Sequence, residues 1–425
     1  MKSKIGPAVK LFILSIAMLP SLALANGIRI SSQDAFASGR GEAFAATADN
    51  PSAIYYNPAG IAQLEGNNFR AGFYGLYLDP TYTPPGGTRD IHNNDRWEAV
   101  PQFFYTYGPH DLPVSFGLGV YSPYGLSVNW PQDTGFRTVS TKGSMSYVTA
   151  NPVVALKLAP NFSIAGGLTV NYANADLEQG LIWPTTAFDQ FRFRGEGWGI
   201  GYNLGMLWKP HEKISIGVSF RSSTSIDLNG HTDARNDVAV PSPPAPFPVP
   251  PYRFRSPAHA EFEFPMNAIF GISYRPNPSW NLEFNADYTD WSSVGTLRIQ
   301  QSSSLPPLLP KQVPVVLNWQ PSWYYEFGAT RYLPKGWQVS AGYIFNQNSV
   351  QDATYTPLVS DLDRHFFTVG TGHKGKVFDF DIAYQLGYGA AHTVKGSMTS
   401  AAGQSADGTY DFLSHAVVVT LGLHF

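Results

Sequence analysis

Trp198-Gly199-Ile200-Gly201-Tyr202-Asn203-Leu204-Gly205-Met206-Leu207-Trp208 says different things on its two faces. Trp198, Ile200, Tyr202, Leu204, Met206 and Trp208 are apolar or aromatic, whereas the interleaved Gly199, Gly201, Asn203 and Gly205 are small or polar, with Leu207 the exception. A strand points successive side chains to opposite sides, so this run has one greasy face and one small-residued face. Trp bounds the greasy face at both ends, over the ~9–11 residues a tilted strand needs to cross a bilayer. The same division recurs in Ile214-Ile216-Val218-Phe220 against Ser215-Gly217-Ser219-Arg221. It recurs again in Phe378-Phe380-Ile382-Tyr384-Leu386 against Asp379-Asp381-Ala383-Gln385. A soluble sandwich also alternates. The aromatic residues bounding the strands and the scarcity of charge on the apolar face point instead to lipid.

Working outward, we count fourteen candidate strands, starting near residues 68, 97, 114, 143, 162, 194, 213, 259, 280, 322, 337, 364, 377 and 412. Short links with turn chemistry, such as Gly108-Pro109-His110-Asp111, Pro160-Asn161 and Pro334-Lys335-Gly336, alternate with long ones near 80–96, 129–142, 176–193, 229–258, 301–321, 347–363 and 391–411. An even-stranded antiparallel barrel with short periplasmic turns and long outer loops has this rhythm, and closing the ring leaves no unpaired edge in lipid. The expected fold class is therefore all-β, a transmembrane antiparallel β-barrel. The Pro-rich run 241–251 reads as an exposed outer loop. The final alternation places Leu413, His415, Val417, Val419, Leu421, Leu423 and Phe425 on one face, and Phe425 resembles the C-terminal assembly signal of bacterial outer-membrane barrels.

Composition agrees. Charged residues are 14% of the 425, against about 25% in an ordinary soluble protein, and aromatics are also 14%. A net charge of −3 offers no polyelectrolyte attraction for nucleic acid. The absence of cysteine removes disulfides, thiol nucleophiles and Cys-metal sites. Lys2, Lys4 and Lys10, the apolar run Leu11 to Leu19 and the site Ala23-Leu24-Ala25 predict a signal peptide over 1–25. Residues 26–66 do not alternate. Their small-residue composition suggests a segment that plugs the barrel formed by 67–425, with Asn57 pinning it to the wall and Pro58 fixing its backbone.

Asn50-Pro51-Ser52-Ala53 and Tyr56-Asn57-Pro58-Ala59-Gly60, followed in order by Gly197–Asn203, Ser219-Phe220-Arg221-Ser222, Asp287–Ser292 and Asp361–Phe366, resemble the FadL-type family of outer-membrane long-chain fatty acid and hydrocarbon transporters. The resemblance implies a fourteen-stranded barrel, an N-terminal hatch carrying Asn57, Pro58, Ala59 and Gly60, and a kinked third strand that opens the wall for lateral release. Ser122-Pro123-Tyr124-Gly125 is the candidate kink, because proline lacks a ladder N–H and glycine packs nothing. The expected substrate is a hydrophobic small molecule captured on the outer loops, with Arg221, Arg331 and Arg364 as candidate partners for a carboxylate. The expected surroundings are outer-membrane lipid and lipopolysaccharide of a Gram-negative-type bacterium, reached through the barrel assembly machinery as a monomer. No cofactor or metal is expected. No nucleophile elbow, zinc helix or phosphate loop occurs. Ser414-His415 and Ser256 with His259 are the nearest approaches to a hydrolase pair, and an enzyme is not expected. A general porin for small hydrophilic solutes is the alternative. It would line an eyelet with opposed charges and would have no use for a forty-residue plug.

Overall fold

In a computed structural model, which describes residues 27–181, 189–237, 251–306, 309–400 and 402–425, strand after strand turns its apolar positions outward. Trp198, Ile200, Tyr202 and Leu204 are exposed, whereas Gly201, Asn203 and Leu207 between them are buried. Such a surface is stable only against lipid. The predicted signal peptide and residues 241–250 of the Pro-rich run lie outside the described residues.

The strands are β1 (Gly66–Thr83), β2 (Ile91–His92), β3 (Trp97–Gly108), β4 (Val114–Tyr121), β5 (Gly125–Asn129), β6 (Lys142–Ala159) and β7 (Phe162–Gln179). They continue as β8 (Gln190–His211), β9 (Ile214–Arg221), β10 (Thr224–Asn236), β11 (Tyr252–Phe264), β12 (Asn267–Tyr274) and β13 (Trp280–Thr289). The last are β14 (Thr296–Gln301), β15 (Gln312–Val316), β16 (Ser322–Tyr332), β17 (Trp337–Asn346), β18 (Arg364–Lys374), β19 (Phe378–Val394) and β20 (Gly408–His424). They form a closed antiparallel barrel of 14 wall strands, sealed where β1 pairs with β20 from Asn68↔His424 to Thr83↔Thr409. Five wall strands are each interrupted into two pieces: β4 with β5, β9 with β10, β11 with β12, β13 with β14, and β15 with β16. β10, β11 and β15 extend the wall into stretches that periodicity assigned to loops. Phe425 is exposed on the outer face, stacks on Phe69 with centroids 6.1 Å apart, and exchanges two backbone bonds with Asn67.

Residues before β1 touch inward positions on strands from all around the ring. Asp34 caps the short helix Ala35–Gly39, its carboxylate accepting from the amides of Phe36 and Ala37. Helix Ala53–Tyr56 and the 3-10 turn Pro58–Gln63 follow. Ala43, Phe44, Ala45 and Ala46 are fully buried, and a side chain at Gly217 would collide with the Ala45 carbonyl. Backbone therefore meets backbone, which is why this segment is built of small residues. Toward the long loops the interior is apolar, with Trp130, Phe136, Tyr355, Leu358 and Tyr410 in one buried cluster.

Candidate functional site

The third wall strand is interrupted between Tyr121, where β4 ends, and Gly125, where β5 begins. β3 pairs with β4 only from Phe103↔Val120 to Tyr107↔Phe116, and β5 pairs with β6 alone. No ladder therefore joins Trp97–Gln102 to β5. The window is bounded below by the β3–β4 ladder and above by the Asn94 amide, which donates to the Asn129 carbonyl at 2.9 Å. The N-terminal segment occupies it like a borrowed strand. Ile30 N–H donates to the Pro123 carbonyl at 2.8 Å, and Gly125 N–H donates to the Ile28 carbonyl at 3.0 Å. The Gln33 amide donates to the Ser122 carbonyl at 2.9 Å. Tyr124 turns inward, donating to the Pro265 carbonyl at 3.1 Å and packing edge-on to Tyr147 and Trp291.

A cavity of about 370 Å³ opens at this window, lined by Ile28, Ile30, Leu78, Val100, Leu126 and Met145 among others. The volume is in the range of small-molecule sites, and the lining is mainly apolar. Arg364 stands at its edge, over the Phe412 ring at 4.1 Å, with one N–H on the Ser360 carbonyl and Asp361 at 3.6 Å. Arg221 is buried nearby. Its guanidinium lies over the Tyr55 ring at 4.6 Å, donates to the Tyr55 carbonyl at 3.1 Å, and faces no carboxylate among the described residues. Arg331 is elsewhere, exposed beside Trp280 at the short-turn end. The structure thus brings two of the three sequence-selected arginines near the window and leaves the third apart.

Asn57 is fully buried. Its amide donates to the Ala45 carbonyl at 2.7 Å and to the Met206 carbonyl on β8 at 2.9 Å, while its side-chain oxygen accepts from Ala59 N–H. Pro58 is the first residue of the 3-10 turn. The Ala59 carbonyl accepts from Ser163 on β7, and Gly60 packs so closely on Ala48 that no side chain fits. The motif therefore joins the segment to itself and to the wall.

Periodicity did not reveal the ion pairs that hold the segment. Arg29 pairs with Asp287 at 2.6 Å, Arg40 with Glu283 at 3.3 Å, and Arg70 with both Asp34 and Asp381, the latter at 2.6 Å. Arg70, Glu283, Asp287 and Asp381 lie on inward strand faces. A charge there at membrane depth requires a partner, and that was the legible signal. At the upper end Gly27 N–H donates to Asp361 at 2.9 Å, and burial raises the Asp361 carboxyl to about 6. Ser414 and Ser256 are buried while His415 and His259 face outward, so neither hydrolase pair converges.

A second lapse lies between β11 and β14, which share only Ala258↔Gln301 and His259↔Gln300, and the ladder resumes at Asn267↔Thr289. The 3-10 turn Trp291–Ser293 fills it from within its own wall strand. The cavity there is about 680 Å³ and polar, lined by Asp227, Glu261, Glu263 and Arg298 among others.

The family described as "Outer membrane protein transport protein (OMPP1/FadL/TodX)" matches residues 16–425. A long-chain fatty acid transport protein of Salmonella typhi is 22% identical, over 97% of this chain and 96% of its own. Its counterpart in Escherichia coli K12 is also 22% identical over the same shares. Among solved structures, a Pseudomonas aeruginosa FadL homologue superposes with TM-score 0.81 at 18% identity, over 94% of this chain and all (100%) of its own. The Ralstonia pickettii toluene transporter TbuX gives TM-score 0.71 at 16% identity, over 93% and 100%.

Proposed function

Because the chain belongs to the outer membrane protein transport family (OMPP1/FadL/TodX), we propose that it carries hydrophobic molecules, long-chain fatty acids or hydrocarbons, across the outer membrane and releases them sideways through the window between β3 and β5. The observation that carries this reading is the apolar cavity opening at a break in the wall that the N-terminal segment mends. Residues 27–65 act as the hatch, and the ion pairs of Arg29 with Asp287, Arg40 with Glu283 and Asp34 with Arg70 hold it in the lumen. An apolar molecule gains about 0.8 kcal/mol for each methylene buried, so part of an acyl chain suffices for capture. Release requires Ile28–Ile30 to leave the window. That exchange breaks two backbone hydrogen bonds, each worth about 0.5–1.5 kcal/mol net, together with the Arg29–Asp287 ion pair, and unfolds no wall strand.

A fatty acid differs from a hydrocarbon in its carboxylate. Arg364, on the cavity edge, is placed to meet that group, and Arg221, buried without an acid, is the reserve cation behind Tyr124. The chain acts as a channel, not an enzyme, and functions as a monomer delivered by the barrel assembly machinery into a leaflet of lipopolysaccharide. An open porin would leave the inward charges facing water, whereas here they bind the segment that fills the lumen.

The test replaces Ser122-Pro123-Tyr124-Gly125 with Val-Thr-Val-Thr, which restores a strand with free ladder amides. Uptake of oleate into vesicles should fall while oleate binding to the protein persists. Full transport by an assembled, sealed variant would show that the substrate passes elsewhere. Free entry of small sugars in a liposome-swelling assay would favour the porin.

A further inference from the structure

Beyond the apolar belt, toward the long loops, the outward face of β8, β10 and β11 turns basic. Arg192 opposes Asp233, which in turn opposes Arg255, and Arg235 opposes Arg253 in the next row of the ladder. Arg194 stands one row below, opposite His231. Phe191, Phe193, Ala234 and Ser256, which alternate with these residues, are buried, so the arginines point away from the lumen. Trp198 marks the rim of the exposed apolar face on the same strand. At about 3.3 Å per residue, Arg194 lies roughly 13 Å further along the strand, at headgroup depth.

Carboxylates among these arginines orient them without neutralising them. Asp176 and Glu178 hold Arg192, Asp233 is shared by Arg194 at 2.9 Å and Arg255 at 2.6 Å, and Asp237 holds Arg253 at 2.9 Å. Arg235 has no acidic partner among the described residues. With Lys142 on Asp176, six cations face four carboxylates. The Arg253 and Arg255 side chains are 76% and 64% exposed, and a cleft of about 420 Å³ lies among the five guanidinium groups. Exposed ion pairs contribute only about 0–1 kcal/mol to stability, so folding does not account for this concentration of arginine. Guanidinium groups with free N–H edges match phosphate oxygens two at a time, and lipid headgroups are drawn to basic clusters at this depth.

We propose that this face binds the phosphorylated headgroup of an outer-leaflet glycolipid, with Arg235, Arg253 and Arg255 contacting phosphate, and Asp176 and Asp233 holding Arg192 and Arg194 in position. The inference rests on placement in the outer membrane and is independent of what is transported. It is tested on the full-length protein in detergent with bis-phosphorylated lipid A, the same lipid without phosphates, and inorganic phosphate. The phosphorylated lipid should bind about ten-fold tighter or better, a difference of ~1.4 kcal/mol. Arg235→Gln/Arg253→Gln/Arg255→Gln should abolish that preference, millimolar inorganic phosphate should not displace the lipid, and oleate uptake should be unchanged. Equal binding of the two lipids by the unaltered protein overturns the proposal, as does full preference retained by the triple variant. Displacement by inorganic phosphate also overturns it, in favour of a simple anion site. Should the variant fail to assemble, the comparison of lipids on the unaltered protein decides alone.

Discussion

Between β3 and β5 the wall opens onto Ile30, Val100, Leu126 and Met145, whereas the lapse between β11 and β14 is flanked on the outer face by the exposed Asp227, Glu261, Glu263 and Arg298. The first lapse is mended by a segment from another part of the chain, through bonds that can be exchanged while every wall strand stays folded. The second is filled by Trp291–Ser293, which cannot leave without disrupting its own wall strand. A break in a barrel is therefore not in itself a passage. An apolar lining favours a hydrophobe by roughly 25 cal/mol for each Å² it covers, while a polar lining must lose water to admit one.

The largest effect should come from removing what separates the two lapses. Deleting residues 27–65 should raise single-channel conductance several-fold in planar bilayers, and unchanged conductance would mean that the segment does not stop the lumen. Next comes the wall itself. Sealing Ser122–Gly125 should cut oleate uptake about ten-fold, equivalent to ~1.4 kcal/mol on a barrier, while replacing Pro265-Met266 with Val-Thr at the second lapse should leave uptake within about two-fold. Equal losses at both sites would erase the distinction drawn here.

Finer predictions concern the headgroup and the hatch. Arg364→Gln should weaken uptake of a fatty acid through loss of a charge-assisted bond worth about 1.5–3 kcal/mol, and leave uptake of the matching hydrocarbon unchanged. Arg331→Gln, exposed at the short-turn end, should alter neither. Asn57→Ala leaves the Ala45 and Met206 carbonyls without its amide, at a cost of about 1–3 kcal/mol, which should lower uptake with little change in heat-modifiable assembly.

The smallest effect is on pH. Burial raises the Asp361 carboxyl to about 6, above its unfolded value, so the folded state retains a proton that the unfolded chain has lost. The resulting stability is fully present below about pH 4 and is lost as pH rises through 6. Thermal unfolding in detergent should show this decline, and Asp361→Asn should flatten it. An identical pH profile in the variant would assign the dependence to another group.

Much of this was legible. Trp198–Trp208 and Phe378–Leu386 announced two-faced strands because lipid demands a strict alternation, and Pro123 with Gly125 announced the first window because a ladder needs an N–H that proline lacks. The second lapse also has its proline, Pro265, but it lies opposite Asp290–Gly295 on another wall strand, and one strand's sequence does not state its partner's register. Arg29 with Asp287 and Arg70 with Asp381 stayed hidden for the same reason. Each charge is visible at an inward position, yet its partner is more than two hundred residues away. The basic face of β8, β10 and β11 was obscured because its arginines are scattered over Arg192 to Arg255 and converge only when β10 is placed between its neighbours.

Photolabelling tests most directly whether the apolar window, and not the polar one, carries the substrate. A fatty acid bearing an alkyl diazirine, activated during uptake, should leave adducts on Ile30, Val100, Leu126 or Met145, and these should be lost by competition with oleate. Adducts concentrated on Glu261, Glu263 or Arg298, with the β3–β5 window unlabelled during active uptake, would contradict the account.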